Sequence, residues 1–221
     1  MATWVVHLRI ADYFLNNFPI SYPYEFVVGN LAPDCGYGKK DSFGDFVPPP
    51  AVTHWTPTGS KRDCRYKDFY NEYLKDKEHD KAYSFYLGYY VHLLTDIMWS
   101  GTICIPTYSI YADEYKKNPE FLRVIKLDWN DLDYKYLKEN PGFKPYAMLD
   151  RAKGEIPDFL PYYEHNQLTK QVRFITDYYK NEITERDINR SYKYLTEEQL
   201  GDFILAAPEI IKSNLKKRKL I

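Results

Sequence analysis

The chain has 221 residues, with 30 basic and 31 acidic side chains and a formal net charge of −1. This length is enough for a substantial core, and we expect a single domain over residues 1–221. The balanced charge gives no case for a nucleic-acid-binding surface, so no stable nucleic-acid partner is expected.

The N-terminal sequence, the apolar stretches and the cysteines indicate the cellular compartment. The N-terminus lacks the basic start and long apolar run of a secretory signal, and no apolar stretch is long enough to span a bilayer. The three cysteines, Cys35, Cys64 and Cys104, are odd in number and scattered, which does not suit a disulfide framework. We therefore expect a reduced, cytoplasmic protein without a transmembrane segment.

Hydrophobic periodicity predicts helices separated by connections rich in Gly and Pro. A first helix is predicted over residues 3–17, and residues 19–61 form a long connection of the kind that is usually functional. Residues 100–111 are predicted as a loop. The further helices are predicted over residues 65–74, 81–99, 119–140, 165–179 and 196–216. Because no useful strand alternation is present, the sequence predicts an all-α, multi-helix bundle of about six or seven helices.

The helix predicted over residues 81–99 carries a histidine and an aspartate among apolar neighbours. His92 and Asp96 are four residues apart and therefore share one face, with Gly88 one turn earlier. Burying a charge without a partner is expensive, and a divalent metal would satisfy both side chains at once. The alternative is a structural hydrogen bond between the two residues.

Three further residues are of metal-binding type and lie among apolar or turn-forming neighbours. His7 is on the first predicted helix, Asp34 follows Gly-Asn-Leu-Ala-Pro, and His54 lies in Thr-His-Trp. Imidazole nitrogen and carboxylate oxygen are ligands that zinc accepts. Taken singly, each histidine is more often a satisfied core or surface group than a ligand.

The order of these motifs resembles the bacterial zinc-dependent phospholipase C family. The motifs are a histidine, Gly-Asn-x-Ala-Pro-Asp, Thr-His-Trp and Tyr-x-x-His-Leu-Leu-Thr-Asp, within about the first 100 residues. The family is a helical bundle related in fold to the P1-type nucleases, so the resemblance implies that fold here. Beyond this region the resemblance is only one of helical character.

The resemblance also implies a ligand set and a reaction. Asp34, His54, His92 and Asp96 would form one zinc site, and Asp96 would bridge to a second ion that His7 also binds. Asp34 would act as the general base toward the attacking water, so Asp34 and Asp96 are the expected catalytic residues. Two zinc ions are expected, with other divalent metals as an alternative. Trp55 and Trp99 are expected to wall the cleft.

The chain departs from the family pattern in its N-terminal and downstream ligands. The family's N-terminal tryptophan is represented by the internal Trp4, and Thr102 stands where a further histidine is expected. The later His-x-x-x-Glu pair is represented by His165 and Thr169. A three-metal site of the usual composition is therefore not expected.

A carboxylate on the helix predicted over residues 119–140 is a candidate substitute for those ligands. Asp128 falls within the apolar stripe of that helix, which suggests a metal ligand or a hydrogen bond to a histidine. The alternative is that Asp128 is hydrogen-bonded at the edge of the stripe, while Asp131 and Asp133 are solvated.

These observations predict a metal-dependent phosphoester hydrolase that uses metal-activated water. Its substrate would be a phospholipid head group or a soluble phosphoester. One alternative is a nuclease-like phosphodiesterase acting on single-stranded nucleic acid, in which aromatic side chains stack on bases. The other is a non-catalytic metal-binding or interaction protein that retains one structural site.

Overall fold

The computed structural model describes residues 1–38, 45–152, 154–180 and 187–221. The helices are α1 (Trp4–Asn17), α2 (Pro23–Leu31), α3 (Pro50–Thr53), α4 (Tyr66–Tyr73), α5 (Lys81–Trp99), α6 (Ile105–Ile110), α7 (Ala112–Lys117), α8 (Phe121–Glu139), α9 (Lys144–Arg151), α10 (Gln167–Lys180) and α11 (Glu197–Lys217). Ala32–Asp34 and Lys61–Asp63 are 3₁₀ turns, and Ser100–Cys104 is π-helical. Two short antiparallel strands, β1 (Tyr37–Gly38) and β2 (Phe46–Val47), pair with each other. The predicted all-α fold is confirmed.

Helix α5 is the central element and is buried along most of its length. It packs against α1, α2, α4 and α11. Its predicted bounds are confirmed, and it begins where the Asp80 carboxylate accepts a hydrogen bond from the Tyr83 backbone N–H. The prediction of a loop over residues 100–111 is wrong, because the chain stays helical through the π segment into α6. Pro106 lies in the first turn of α6, directly after the π segment, so its missing N–H falls at the junction where the helical hydrogen-bond pattern changes.

Helix α2 lies inside the segment that the sequence predicts as a long connection. It begins at Pro23 and packs closely on α5 through two glycines. A Cβ at Gly29 would lie 1.9 Å from the Phe85 carbonyl oxygen, and a Cβ at Gly88 would lie 2.0 Å from the Phe26 carbonyl oxygen. The two helices are therefore in backbone contact, a separation that only glycine permits at these positions.

The predicted helices in the second half of the chain correspond to α8, α10 and α11. Helix α11 begins with a capping box formed by Thr196 and Gln199. The sequence prediction misses α7 and α9, which have 6 and 8 residues, because so few turns do not establish a helical period. No helix in the described part of the chain is both long enough and apolar enough to cross a bilayer.

A buried carboxylate joins the start of α1 to α8 and α10. Asp133 accepts hydrogen bonds at 2.6 Å from the Thr3 hydroxyl and at 2.6 Å from the Tyr179 hydroxyl. Burial raises the pKa of Asp133 to about 7, although these hydrogen bonds oppose the rise. The folded protein therefore binds this proton more tightly than the unfolded chain, whose aspartates titrate at about pH 3.9.

Asp133→Asn is expected to change how stability depends on pH. In the wild type this carboxyl lowers the free energy of unfolding as pH rises from about 4 to about 7, because ionisation opposes burial. The variant has no ionisable group at this position. Its free energy of unfolding relative to that of the wild type should therefore rise by up to about 2 to 3 kcal/mol between pH 5 and pH 8. Urea denaturation at both pH values measures the difference, with the exposed Asp202→Asn as control. A difference that does not vary with pH would contradict the assignment.

Candidate metal centre

The five predicted ligands on the first hundred residues come together in the structure. They form two groups that share His92, and within each group the ligand atoms lie within 4.8 Å of one another. The groups are His7, His92 and Asp96, and Asp34, His54 and His92. The side chains of His7, His92 and Asp96 are fully buried, and those of His54 and Asp34 are 2% and 5% exposed. Helices α1, α3 and α5 and the turn after α2 therefore converge on one polar cluster.

The orientation of His92 is set by the α2–α5 contact. Its Nδ1 lies 2.8 Å from the Asn30 carbonyl oxygen, so Nδ1–H donates there and Nε2 is the nitrogen directed into the cluster. The Asn30 amide in turn donates to the Gly88 carbonyl oxygen at 3.2 Å. His92 Nε2 faces Asp96 Oδ2 at 3.7 Å. A histidine held in this way presents one nitrogen to a metal.

His54 is held in a similar way at the end of α3. Its Nδ1 lies 3.1 Å from the Pro50 carbonyl oxygen and 3.0 Å from the Thr53 hydroxyl. Its Nε2 faces Asp34 Oδ1 at 3.1 Å and Asp96 Oδ2 at 3.5 Å. The nitrogen directed into the cluster is therefore again Nε2.

His7 stacks on His92, with ring centroids 3.7 Å apart and an interplanar angle of 6°. Its Nε2 lies 3.5 Å from Asp96 Oδ1. Burial, and then the neighbouring His92, lower the pKa of His7 to about 4. His7 is therefore neutral near pH 7 and has a lone pair available for a metal.

Both carboxylates of the cluster are ionised in their folded surroundings. Burial alone would raise the pKa of Asp34, but the imidazoles of His54 and His92 beside it hold the pKa well below its usual range. Burial opposes ionisation of Asp96 too, but the nearby N-terminal ammonium and Lys61 outweigh it and lower its pKa. The cluster thus offers two anionic oxygen donors beside its imidazoles.

Unpaired buried atoms provide a test of whether this donor set suits a metal. Within the described part of the chain, both ring nitrogens of His7 and the Nε2 of His92 have no hydrogen-bond partner. Buried polar atoms without partners are rare in folded proteins. Three imidazoles and two carboxylates around such atoms fit a divalent ion such as zinc, which would satisfy His92 Nε2 and one of the two nitrogens of His7.

Two contacts to Asp96 are not predicted by the sequence analysis. The Ala2 backbone N–H donates to Asp96 Oδ1 at 2.9 Å. Lys61 Nζ lies 2.6 Å from Asp96 Oδ2, as an ion pair whose angle does not meet hydrogen-bond geometry. No local pattern indicates the role of Lys61, because the loop after His54 is what brings it to the cluster.

The structure does not bring Asp128 to this cluster. The Asp128 carboxylate pairs with Arg190 at 2.7 Å and accepts from the Tyr194 backbone N–H at 2.7 Å. Among the described residues it lies in neither group of potential ligands. The expectation that Asp128 replaces the missing ligands is corrected accordingly. Asp131 and Asp133 are buried as well, which overturns the alternative that they are solvated.

The positions that depart from the family pattern also lie apart from the cluster. Thr102 is exposed and its hydroxyl donates to the Met98 carbonyl oxygen. The His165 side chain is 80% exposed and pairs with Asp158 at 2.8 Å. Helix α10, which follows, therefore contributes cleft wall rather than a histidine ligand.

A cleft of about 550 Å³ adjoins the cluster, and Asp34 is part of its wall. The aromatic residues that line it are Trp4, Tyr37, Phe46, Trp129, Phe174, Tyr178 and Tyr179. The expectation that Trp55 and Trp99 wall the cleft is wrong. Trp55 packs on Phe69 and Tyr73, while Trp99 is fully buried behind Trp129.

Comparison with known proteins adds one match. Residues 6–99 match the sequence profile of a family described as zinc dependent phospholipase C. This segment is somewhat less than half of the 221-residue chain, and it contains all five clustered residues. The resemblance carried by the motifs is confirmed for this segment. No curated protein and no solved structure matches the chain.

Proposed function

We propose that this chain, whose residues 6–99 carry the zinc-dependent phospholipase C pattern, is a metal-dependent phosphoester hydrolase that uses metal-activated water. The observation that carries the proposal is a buried cluster of unpaired imidazole nitrogens and ionised carboxylates that opens on a cleft. A structural metal site is usually closed, whereas a hydrolytic site keeps access to substrate. Asp34 supplies that access because it belongs to both the cluster and the cleft wall.

The two oxygens of Asp96 support a site for two ions. Oδ1 faces His7 at 3.5 Å, whereas Oδ2 faces His54 at 3.5 Å and His92 at 3.7 Å. One ion would be held by Asp34, His54, His92 and Asp96 Oδ2, and a second by His7 and Asp96 Oδ1. Zinc suits this mixture of nitrogen and oxygen donors, and other divalent metals remain candidates.

The proposed reaction assigns different tasks to the two carboxylates. A bound zinc ion would supply an acidified water and stabilise charge on the phosphoryl group. Asp34 borders the cleft, so it would take the proton from the attacking water as general base. Asp96 is fully buried and would bind the ions rather than touch the substrate.

The cleft supports a phosphoester that carries an apolar or aromatic group. Its wall is rich in aromatic rings, and Lys126 and Gln171 are among its few polar members. Such surfaces bind flat or apolar ligand groups while a small number of polar groups orient them. Both a phospholipid head group with part of its lipid and a soluble aryl phosphoester fit this description.

A screen on the purified protein tests the proposal. Elemental analysis is followed by chelation, reloading with zinc and assays with p-nitrophenyl phosphate, bis-p-nitrophenyl phosphate, a short-chain phospholipid and a single-stranded oligonucleotide. We expect hydrolysis of at least one phosphoester that is lost on chelation and restored by zinc. Absence of metal binding even after reloading would contradict the proposal.

The second candidate is a phosphodiesterase acting on single-stranded nucleic acid. The aromatic wall of the cleft favours it, because bases stack on such rings. The net charge of −1 argues against it, since nucleic-acid binding depends strongly on phosphate contacts. The oligonucleotide in the screen distinguishes the two. The non-catalytic alternative is disfavoured by the access that Asp34 provides.

A cytoplasmic location is part of the same proposal. Cys35, Cys64 and Cys104 are all unpaired. Free thiols are typical of a reducing compartment, which supports this location.

A further inference from the structure

Lys61 is a cation placed unusually deep for a lysine. Its side chain is 13% exposed, and its Nζ lies 2.6 Å from Oδ2 of Asp96, whose side chain is fully buried. Lysines are seldom this buried unless they are paired, because the ammonium loses its hydration. Together with the nearby N-terminal ammonium, Lys61 therefore compensates the charge of a carboxylate in the core.

The loop from His54 to Arg65 holds Lys61 in this position. The Arg65 backbone N–H donates to the Trp55 carbonyl oxygen at 2.8 Å, and Cys64 Sγ donates to the His54 carbonyl oxygen at 3.3 Å. Lys61 begins a 3₁₀ turn that is capped by Ser60. The loop closes on itself, so the lysine stem is directed inward.

The oxygen that Lys61 contacts is the one proposed above as a ligand of the ion held by Asp34, His54 and His92. Asp96 Oδ2 also faces His54 Nε2 at 3.5 Å and His92 Nε2 at 3.7 Å. A zinc ion bound by a carboxylate oxygen lies about 2.0 to 2.2 Å from it. An ammonium at 2.6 Å and a metal at that distance would place two cations side by side on a single oxygen.

The charges in the cluster indicate whether Lys61 or a divalent metal remains at Asp96 Oδ2. Asp34 and Asp96 contribute two negative charges, and Lys61 compensates one of them. Each divalent ion that binds adds two positive charges against these two carboxylates, so a retained Lys61 would only add to the positive charge of a buried site. Low-dielectric surroundings disfavour such an excess.

We propose that Lys61 is a tethered cation that compensates Asp96 in the metal-free protein and is displaced from Asp96 Oδ2 when a divalent metal binds. The inference rests on the proposed function only in assuming that the cluster binds metal. Lys61 keeps the empty cluster stable and weakens metal binding, because each binding event must first release the lysine.

Lys61→Met tests the inference, with Arg62→Met as the matched control. Methionine keeps an unbranched stem and removes the charge, while Arg62 is its exposed neighbour in the same turn. Isothermal titration with zinc should show binding at least about tenfold tighter in Lys61→Met than in wild type. The metal-free form should melt at a lower temperature. Arg62→Met should change neither quantity.

The possible outcomes separate this inference from the proposed function. Equal or weaker zinc binding by Lys61→Met, with binding intact in the wild type, would overturn the inference alone. Binding by the variant but not by the wild type would support the inference. Absence of binding in both proteins would overturn the inference together with the proposed metal site.

A measurement on the wild type covers the case in which the variant does not fold. Reductive methylation of lysine amines, read by peptide mass spectrometry, reports how available each ammonium is. Lys61 should react faster in the zinc-loaded protein than in the chelated protein, while the exposed Lys67 should react equally in both. Equal or slower reaction of Lys61 after zinc loading would overturn the inference.

Discussion

Asp96→Asn is expected to weaken metal binding by more than about 100-fold and to abolish phosphoester hydrolysis. Both oxygens of Asp96 face histidines of the cluster, and the substitution removes an anionic ligand while it keeps the size of the side chain. Loss of a group that only orients a ligand typically costs about 10- to 100-fold in affinity, so a direct ligand should cost more. Zinc titration and elemental analysis after dialysis measure the effect.

Asp128→Asn is the matched control for this experiment. The Asp128 carboxylate is also buried, but it forms an ion pair with Arg190 and accepts a hydrogen bond from the Tyr194 backbone N–H. We expect its metal content to match that of the wild type, whatever the change in stability. Thermal unfolding of both variants checks that metal loss is observed on folded protein, because Lys61 loses its counter-charge in Asp96→Asn. Full metal content in Asp96→Asn would remove this residue from the ligand set.

The predicted ligands that the structure brings together lie where local rules apply. His92 and Asp96 share a face because they are four residues apart on a regular helix, and that spacing is visible in the sequence. Asp34 and His54 were found through the family motifs, since their turns have no periodicity of their own. Sequence alone thus predicted which residue types meet at this site.

The features that escaped prediction depend on long-range packing. Asp128 lies within the apolar stripe of α8. The stripe does not reveal that the Asp128 carboxylate pairs with Arg190, which is 62 positions later. Lys61 reaches Asp96 only because the loop after His54 closes on itself. Helix α2 was missed because its Pro and Gly residues resemble a connection, although they allow close contact with α5.

Gly88→Ala is expected to destabilise the fold by about 3 kcal/mol or more and to weaken metal binding. The added Cβ would lie 2.0 Å from the Phe26 carbonyl oxygen and 2.9 Å from the Asn30 backbone nitrogen. Both are backbone atoms inside or at the end of a helix, so rotation of a side chain gives no relief, and overpacking of this kind gives large losses. Urea denaturation measures the free energy of unfolding.

The same substitution affects the metal centre because α2 orients His92. Separation of α2 from α5 would move the Asn30 carbonyl oxygen away from His92 Nδ1, which it meets at 2.8 Å. We expect the folded fraction of Gly88→Ala to bind zinc about 10- to 100-fold more weakly, the usual cost of losing a group that orients a ligand. Titration at a temperature at which the variant remains folded separates this effect from unfolding.

Gly201→Ala serves as the control because it makes the same chemical change in α11. Outside its own helix backbone, no atom of the described residues lies within 4 Å of the position that its Cβ would take. Alanine in an unstrained helix interior stabilises by up to about 1 kcal/mol, so the two variants should differ in sign. If Gly88→Ala proved neutral or stabilising instead, close packing of α2 on α5 could not be what orients His92, and the orientation of that ligand would require another cause.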